Sequence, residues 1–272
     1  MTQHQQQPTQ KKLGEEGMRF RHVAMGRTHA AAVTVDGELW TWGNPELGKL
    51  GHGVNELPAP PSAWRLSKPP KKPERTDIAR VRGALEEQRV VQAACGFNHT
   101  VCLTEDGEVY SFGQGKFGAL GHGAFDQLGS PKRVEALRNV VKVASGGDFS
   151  LCLDQDGRVF AFGSNLVGQL GLSGVLVYRV NYPQQLVLPN GVVAVDIACG
   201  EEHAALLTDA GEVFTWGYGS EGALGHRRRR TLSKPKLLSL KKRGVRVRCG
   251  GGHTGVVTDE GELYLFGRGR DG

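Results

Sequence analysis

Histidine, cysteine and arginine are the residue types in this chain that could do chemistry, and each of them recurs in a pattern. His29, His99, His203 and His253 all stand three residues after a glycine and eight residues before another. A histidine can donate or accept a proton or bind a metal near neutral pH. These four fall in separate copies of one repeated segment, and Phe149 holds the same place in a further copy. Ligands placed one to a repeat do not converge, and phenylalanine has no ligand nitrogen. The histidines are therefore expected to hydrogen-bond backbone within or between repeats. Cys95, Cys199 and Cys249 share one repeat position, and Cys102 and Cys152 share another. With no CxxC pair and with both positions on expected strands, they read as small buried hydrophobes rather than zinc ligands or nucleophiles. Glycine-rich stretches such as residues 250–252 have no helical periodicity behind them, as a phosphate cradle requires, so turn geometry accounts for them. No catalytic, metal or cofactor site is expected.

Charge is unevenly placed. The formal net charge is +6, yet eleven Lys and Arg with no Asp or Glu lie between Arg227 and Arg248, which leaves the rest of the chain acidic. That distribution disfavours general nucleic-acid binding and points to one local patch. Within it, Arg227, Arg228, Arg229 and Arg230 are adjacent, and Lys241, Lys242 and Arg243 follow one expected strand later. The two clusters either lie at opposite edges of one unit or flank it. A second departure from the repeat is LPAPPSAWRLSKPPKKPERT, in the first interval, whose prolines favour an extended, exposed, basic loop carrying Lys71 and Lys72. These nine residues are the candidate contacts for a partner or anion, through an acidic protein, nucleic-acid phosphate or a nuclear import receptor.

The elements that would position them follow from the repeat. GELWTWG at residues 37–43 returns as GEVYSFG, GRVFAFG, GEVFTWG and GELYLFG, at intervals of 70, 50, 54 and 50 residues. A Leu-Gly pair follows seven residues after the last glycine of each of the first four copies. Such constant offsets mark one supersecondary unit repeated. HTVCLTEDGEVYSFG reads as two alternating strands joined at Asp106-Gly107 by a two-residue hairpin with positive φ at both positions. A strand is expected before it (VVQAACG) and another after the Leu-Gly pair, in PKRVEAL, PQQLVL and PKLLSL. Four strands in about fifty residues make one blade of an all-β propeller.

These landmarks together resemble the repeat of the regulator of chromosome condensation family over residues 18–272. The resemblance implies a seven-bladed ring, of which this chain holds four complete repeats and a shortened fifth, so about two more are expected in a larger protein. The expected organisation is a polar leader over 1–17 and a propeller over 18–272. Its repeats lie near 18–57, 88–137, 138–188, 192–240 and 244–272, and an inserted loop spans 58–87. A ring of this kind binds partners. The expected function is a non-catalytic, protein-binding scaffold, chromatin-associated or regulatory. The alternative is guanine-nucleotide exchange on a small GTPase of the Ran type. The founding members' resemblance implies a lengthened loop for exchange, whereas the seven-residue spacing here is uniform. Light sensing, known from plant members, is disfavoured because Arg27, Phe97, Gly147, Glu201 and Gly251 occupy the place of the required tryptophan. The amino terminus has no apolar core of a secretory signal, and no stretch approaches a membrane span's length, so the expected setting is intracellular, in nucleus or cytoplasm.

Overall fold

A computed structural model describes residues 18–53, 76–172, 177–189 and 191–269. They form five antiparallel sheets. The first blade is β1 (Phe20–Met25), β2 (His29–Thr34), β3 (Leu39–Gly43) and β4 (Thr76–Arg80). The second is β5 (Val90–Cys95), β6 (His99–Thr104), β7 (Val109–Gly113) and β8 (Leu128–Arg133). The third is β9 (Val140–Ser145), β10 (Phe149–Asp154), β11 (Val159–Ser164) and β12 (Arg179–Gln185). The fourth is β13 (Ala194–Cys199), β14 (His203–Thr208), β15 (Val213–Gly217) and β16 (Leu232–Leu237). The fifth is β17 (Gly244–Cys249), β18 (His253–Thr258) and β19 (Leu263–Gly267). In every sheet the strands pair in chain order as a meander, with the first strand innermost.

Alternation explains where the core sits. Successive side chains of a strand point to opposite faces, and in a propeller both faces of a middle blade meet a neighbouring blade. All six residues of β6, β10 and β14 are accordingly buried; those of β2 are buried as well, with Trp40 and Trp42 cross-strand from Ala32 and Ala30 on the face turned away from the second blade. The apolar interior is divided into four layers, one between each pair of successive blades. Phe112 and Tyr110 pack with the first blade's Leu39, while Phe149 and Trp216 join the third and fourth blades. In β18 only Thr254, Val256 and Thr258 are buried, because one face alone has a described neighbour.

Three expectations are corrected by the backbone. Asp106-Gly107 is not a two-residue hairpin with two positive φ angles: only Gly107 has one, at 74°, and its N–H donates to Thr104 O at 3.1 Å. The turn is thus of the i→i+3 kind closed by a left-handed glycine, which lets Asp106 stay in an unstrained region. The outer strands begin about three residues before the motifs PKRVEAL, PQQLVL and PKLLSL. Pro131, Pro183 and Pro235 fall where the ladder with the third strand is irregular. A proline, lacking an N–H, is accommodated there on an edge strand. Finally, Thr76–Arg80 supplies the outer strand of the first blade from inside the stretch 58–87 read as loop, pairing Trp40 with Arg80. That blade therefore extends beyond residue 57.

Candidate functional site

Three of the four repeated histidines are spent on joining blades through a side-chain hydroxyl where their spacing suggested backbone, while His253 does meet backbone, at Arg268 O of its own blade. Thr100 Oγ1 donates to Lys49 O (2.8 Å), so its lone pair is what the His29 Nε2–H meets at 2.9 Å. Ser150 and His99 repeat the arrangement at 2.9 and 3.0 Å, and Thr254 and His203 repeat it at 2.8 and 2.9 Å. The partner is a hydroxyl of the next blade. The preceding glycine is required by the ring itself: a Cβ on Gly96 would lie 2.2 Å from His99 Cε1. Burial holds these imidazoles neutral, with His29 lowered to about 3 and His99 and His203 to about 4. A second set escaped notice in the sequence, although its signal is there in the residue after Leu-Gly. His52, His122 and His226 bond the hydroxyls of Thr41, Ser111 and Thr215, which in turn donate to Leu50 O, Leu120 O and Leu224 O. These bonds tie each Leu-Gly loop to its own blade. The thiols are protonated, Cys95 and Cys249 being pushed up to about 12 by burial.

The two basic clusters are separated by the fold. β15 ends at Gly217, opposite His203, and the connection onward to β16 carries Arg227, Arg228, Arg229 and Arg230 on the side of the blade where the Gly-x-x-His turns lie. The next connection, from β16 to β17, carries Lys241, Lys242 and Arg243 on the side of the hairpin turns. Six residues of strand between them amount to roughly 20 Å. The clusters face opposite sides of the propeller.

Their surroundings differ as much. Residues 227–230 are exposed, and among the described residues no carboxylate lies within ion-pair distance of any of them. Their loop is nevertheless fixed: the Arg230 N–H donates to Arg228 O at 2.9 Å, and the carbonyl of Arg230 passes so close to Gly219 that a Cβ there would lie 2.1 Å from it. The second blade builds the same loop over Gly115 with Gly123, Ala124, Phe125 and Asp126 in place of the arginines. On the other side Arg243 donates from Nε to Ala210 O (2.9 Å) and from Nη2 to Asp209 O (3.3 Å), closing the hairpin turn of the fourth blade. Lys242 Nζ pairs with Glu260 at 2.5 Å. Lys241 is exposed. Lys71 and Lys72 lie outside the described residues.

Charges also line the inner wall, which the sequence reading passed over. The third residue of each innermost strand is polar: His22, Gln92, Lys142, Asp196 and Arg246. Asp196 accepts from Lys142 of the third blade and from Arg248 of the fifth, the latter at 2.9 Å. Gln92 pairs its side-chain amide with both backbone groups of Val143, at 2.9 and 3.1 Å. Burial, with Arg248 and Arg246 nearby, lowers Lys142 to about 8. His22, Gln92, Lys142 and Arg248 border a cavity of about 620 Å³ between the innermost strands. The bonds of Gln92, Lys142 and Asp196 join innermost strands of successive blades, between which no strand ladder runs.

A family model described as an RCC1-like domain matches residues 1–272. The chain belongs to the RCC1-like domain family. An RCC2 homolog of Xenopus laevis is 32% identical over 253 residues, covering 82% of this chain and 45% of its own length. Human HERC2, an E3 ubiquitin-protein ligase, is 35% identical over 205 residues, 75% of this chain and 4% of its own. The crystal structure of human WBSCR16 superposes with a TM-score of 0.76 at 28% identity, over 92% of this chain and 62% of that one. Yeast Prp20p shares the fold, with a TM-score of 0.65 at 24% identity over 90% and 71% of the two chains. This RCC1-like chain thus spans less than half the length of the curated relatives named here.

Proposed function

We propose that this RCC1-like chain is a non-catalytic propeller module that binds an acidic protein partner through the face bearing Arg227, Arg228, Arg229 and Arg230. The observation that carries this reading is the fixed arginine loop, held outward with no carboxylate neighbour among the described residues. The histidines and cysteines, by contrast, are occupied in packing and in bonds between strands. A rigid scaffold that presents varied loops is a common basis for recognition. Among the described residues no helix is long and apolar enough to cross a membrane.

The likeness to yeast Prp20p, whose binding to Gsp1p and histones has been studied, selects the partners to try first. Small GTPases loaded with a fluorescent nucleotide, and reconstituted nucleosomes beside naked DNA, would be titrated with the protein. Saturable binding to nucleosomes or to a GTPase that weakens with salt, and falls when the arginines become serine, supports the proposal. Accelerated nucleotide release would replace it with exchange activity. Equal binding to naked DNA would replace it with phosphate recognition.

A further inference from the structure

Each of the four interfaces between successive blades carries one of two pairings. At three of them the earlier blade offers a histidine at the head of its second strand. The later blade offers a hydroxyl at the second position of its own, with a phenylalanine cross-strand from it: Thr100 with Phe112, Ser150 with Phe162, and Thr254 with Phe266. The hydroxyl also donates back to a carbonyl of the earlier blade, at Lys49, Ala119 and Ala223. At the remaining interface every member changes. Phe149 replaces the histidine, Ala204 the hydroxyl and Trp216 the phenylalanine. The carbonyl at the equivalent place, Gln169 O, then receives the indole Nε1–H of Trp216 at 2.8 Å. The donor has moved from one side chain to its cross-strand neighbour, and the apolar ring of Phe149 fills the space a histidine would need a partner to occupy.

The two outward faces of the described arc carry halves of these pairings. On the fifth blade His253 is exposed and turns its Nε2 to Arg268 O. Leu263 and Leu265 stand exposed beside it. A Cβ added at Gly250 or Gly261 meets nothing within 4 Å, whereas the four preceding glycines of each series all touch the following blade. On the first blade the outward pair is Ala30 with Trp42. That is the Ala204 and Trp216 combination, which accepts phenylalanine, not histidine.

We infer that the outward face of the fifth blade is a docking surface for a blade of this same repeat type that presents a serine or threonine cross-strand from a phenylalanine. The first blade of this chain, in the same molecule or in a second copy, is not its mate. Correspondingly, the first blade is addressed to a blade with phenylalanine at the histidine position. The argument is continuity with interfaces already made: three histidines meet three hydroxyls, and the one phenylalanine meets alanine and tryptophan. A buried imidazole N–H left without its acceptor is the cost of a mismatch.

The test extends the full chain at Gly272 with a copy of residues 119–188, which keeps the repeat in register and supplies an outer strand and a blade bearing the Ser150 and Phe162 pair. Amide hydrogen exchange in β18 is the readout. Protection is expected to rise with this extension and to be about tenfold lower when the copied serine and phenylalanine are changed to alanine and tryptophan. Adding H253F to that altered extension should restore it. Equal protection for both extensions overturns the inference. Should neither extension fold, the same rule is read inside the chain. F149H is expected to destabilise the third interface, and F149H/A204T/W216F to recover the loss. Absence of recovery overturns the inference as well.

Discussion

On one side of the fourth blade, four arginines project from a pinned loop with no carboxylate in reach among the described residues. On the other, Arg243 caps a hairpin turn and Lys242 is paired with Glu260. The two clusters are separated by a single strand and look alike as text. What divides them is what the fold sets opposite each. Asp209 and Ala210 turn their carbonyls toward Arg243, whereas among the described residues no carboxylate pairs with residues 227–230. A run of basic residues is therefore two features, one exposed and unpaired among the described residues and one bonded into the structure.

That contrast can be broken by exchanging the roles experimentally. The largest effect is expected from R227S/R228S/R229S/R230S, which should weaken partner binding by on the order of thirtyfold, as four exposed charge pairs at about 0.5 kcal/mol each would give, while leaving the melting temperature unchanged. A fall in melting temperature would place this cluster with the structural one. Acidification sharpens the same division, because guanidinium keeps its charge while the buried imidazoles do not tolerate theirs. The pKa values of His29, His99 and His203 are lowered from 6.5 to about 3, 4 and 4. In that window the unfolded chain binds more protons than the folded one, so stability is full above about pH 6.5 and is lost progressively as the pH falls toward 4. Urea unfolding at a series of pH values measures it, and a flat profile would contradict the assignment. R243A is expected to cost about 1 kcal/mol in stability without altering binding, since two carbonyls at the hairpin lose a donor. The smallest effect is that of K242S, at most about 0.5 kcal/mol in the same assay, because its ion pair with Glu260 is half exposed.

Much of this architecture is legible in the sequence, for a physical reason. A blade cannot bury its faces alone, so every copy must repeat the same turn glycines and inward residues, and the repetition exposes strand order and blade limits. The Gly-x-x-His landmark could be assigned a structural role from its spacing, within or between blades. Its partner could not, because the hydroxyl lies in the following repeat, 51 residues away for His99 and Ser150, and becomes visible only when successive copies are compared across the interface. The outer strand Thr76–Arg80 was hidden because the first interval is lengthened and the usual offset no longer locates it. The opposition of the two basic clusters was open for a similar reason: it depends on which end of β16 each connection leaves, which charge alone does not encode. The inner-wall set of Lys142, Asp196 and Arg248 draws on three repeats and has no local motif.

The most direct test is the affinity of the full chain for reconstituted nucleosomes and for small GTPases, measured for the wild type and for R227S/R228S/R229S/R230S at low and moderate salt. The account predicts wild-type binding to at least one of them that weakens with salt, and a variant that folds normally, binds poorly and has lost that salt dependence. Identical affinities for the two proteins at both salt concentrations would contradict the assignment of the arginine face as the binding surface.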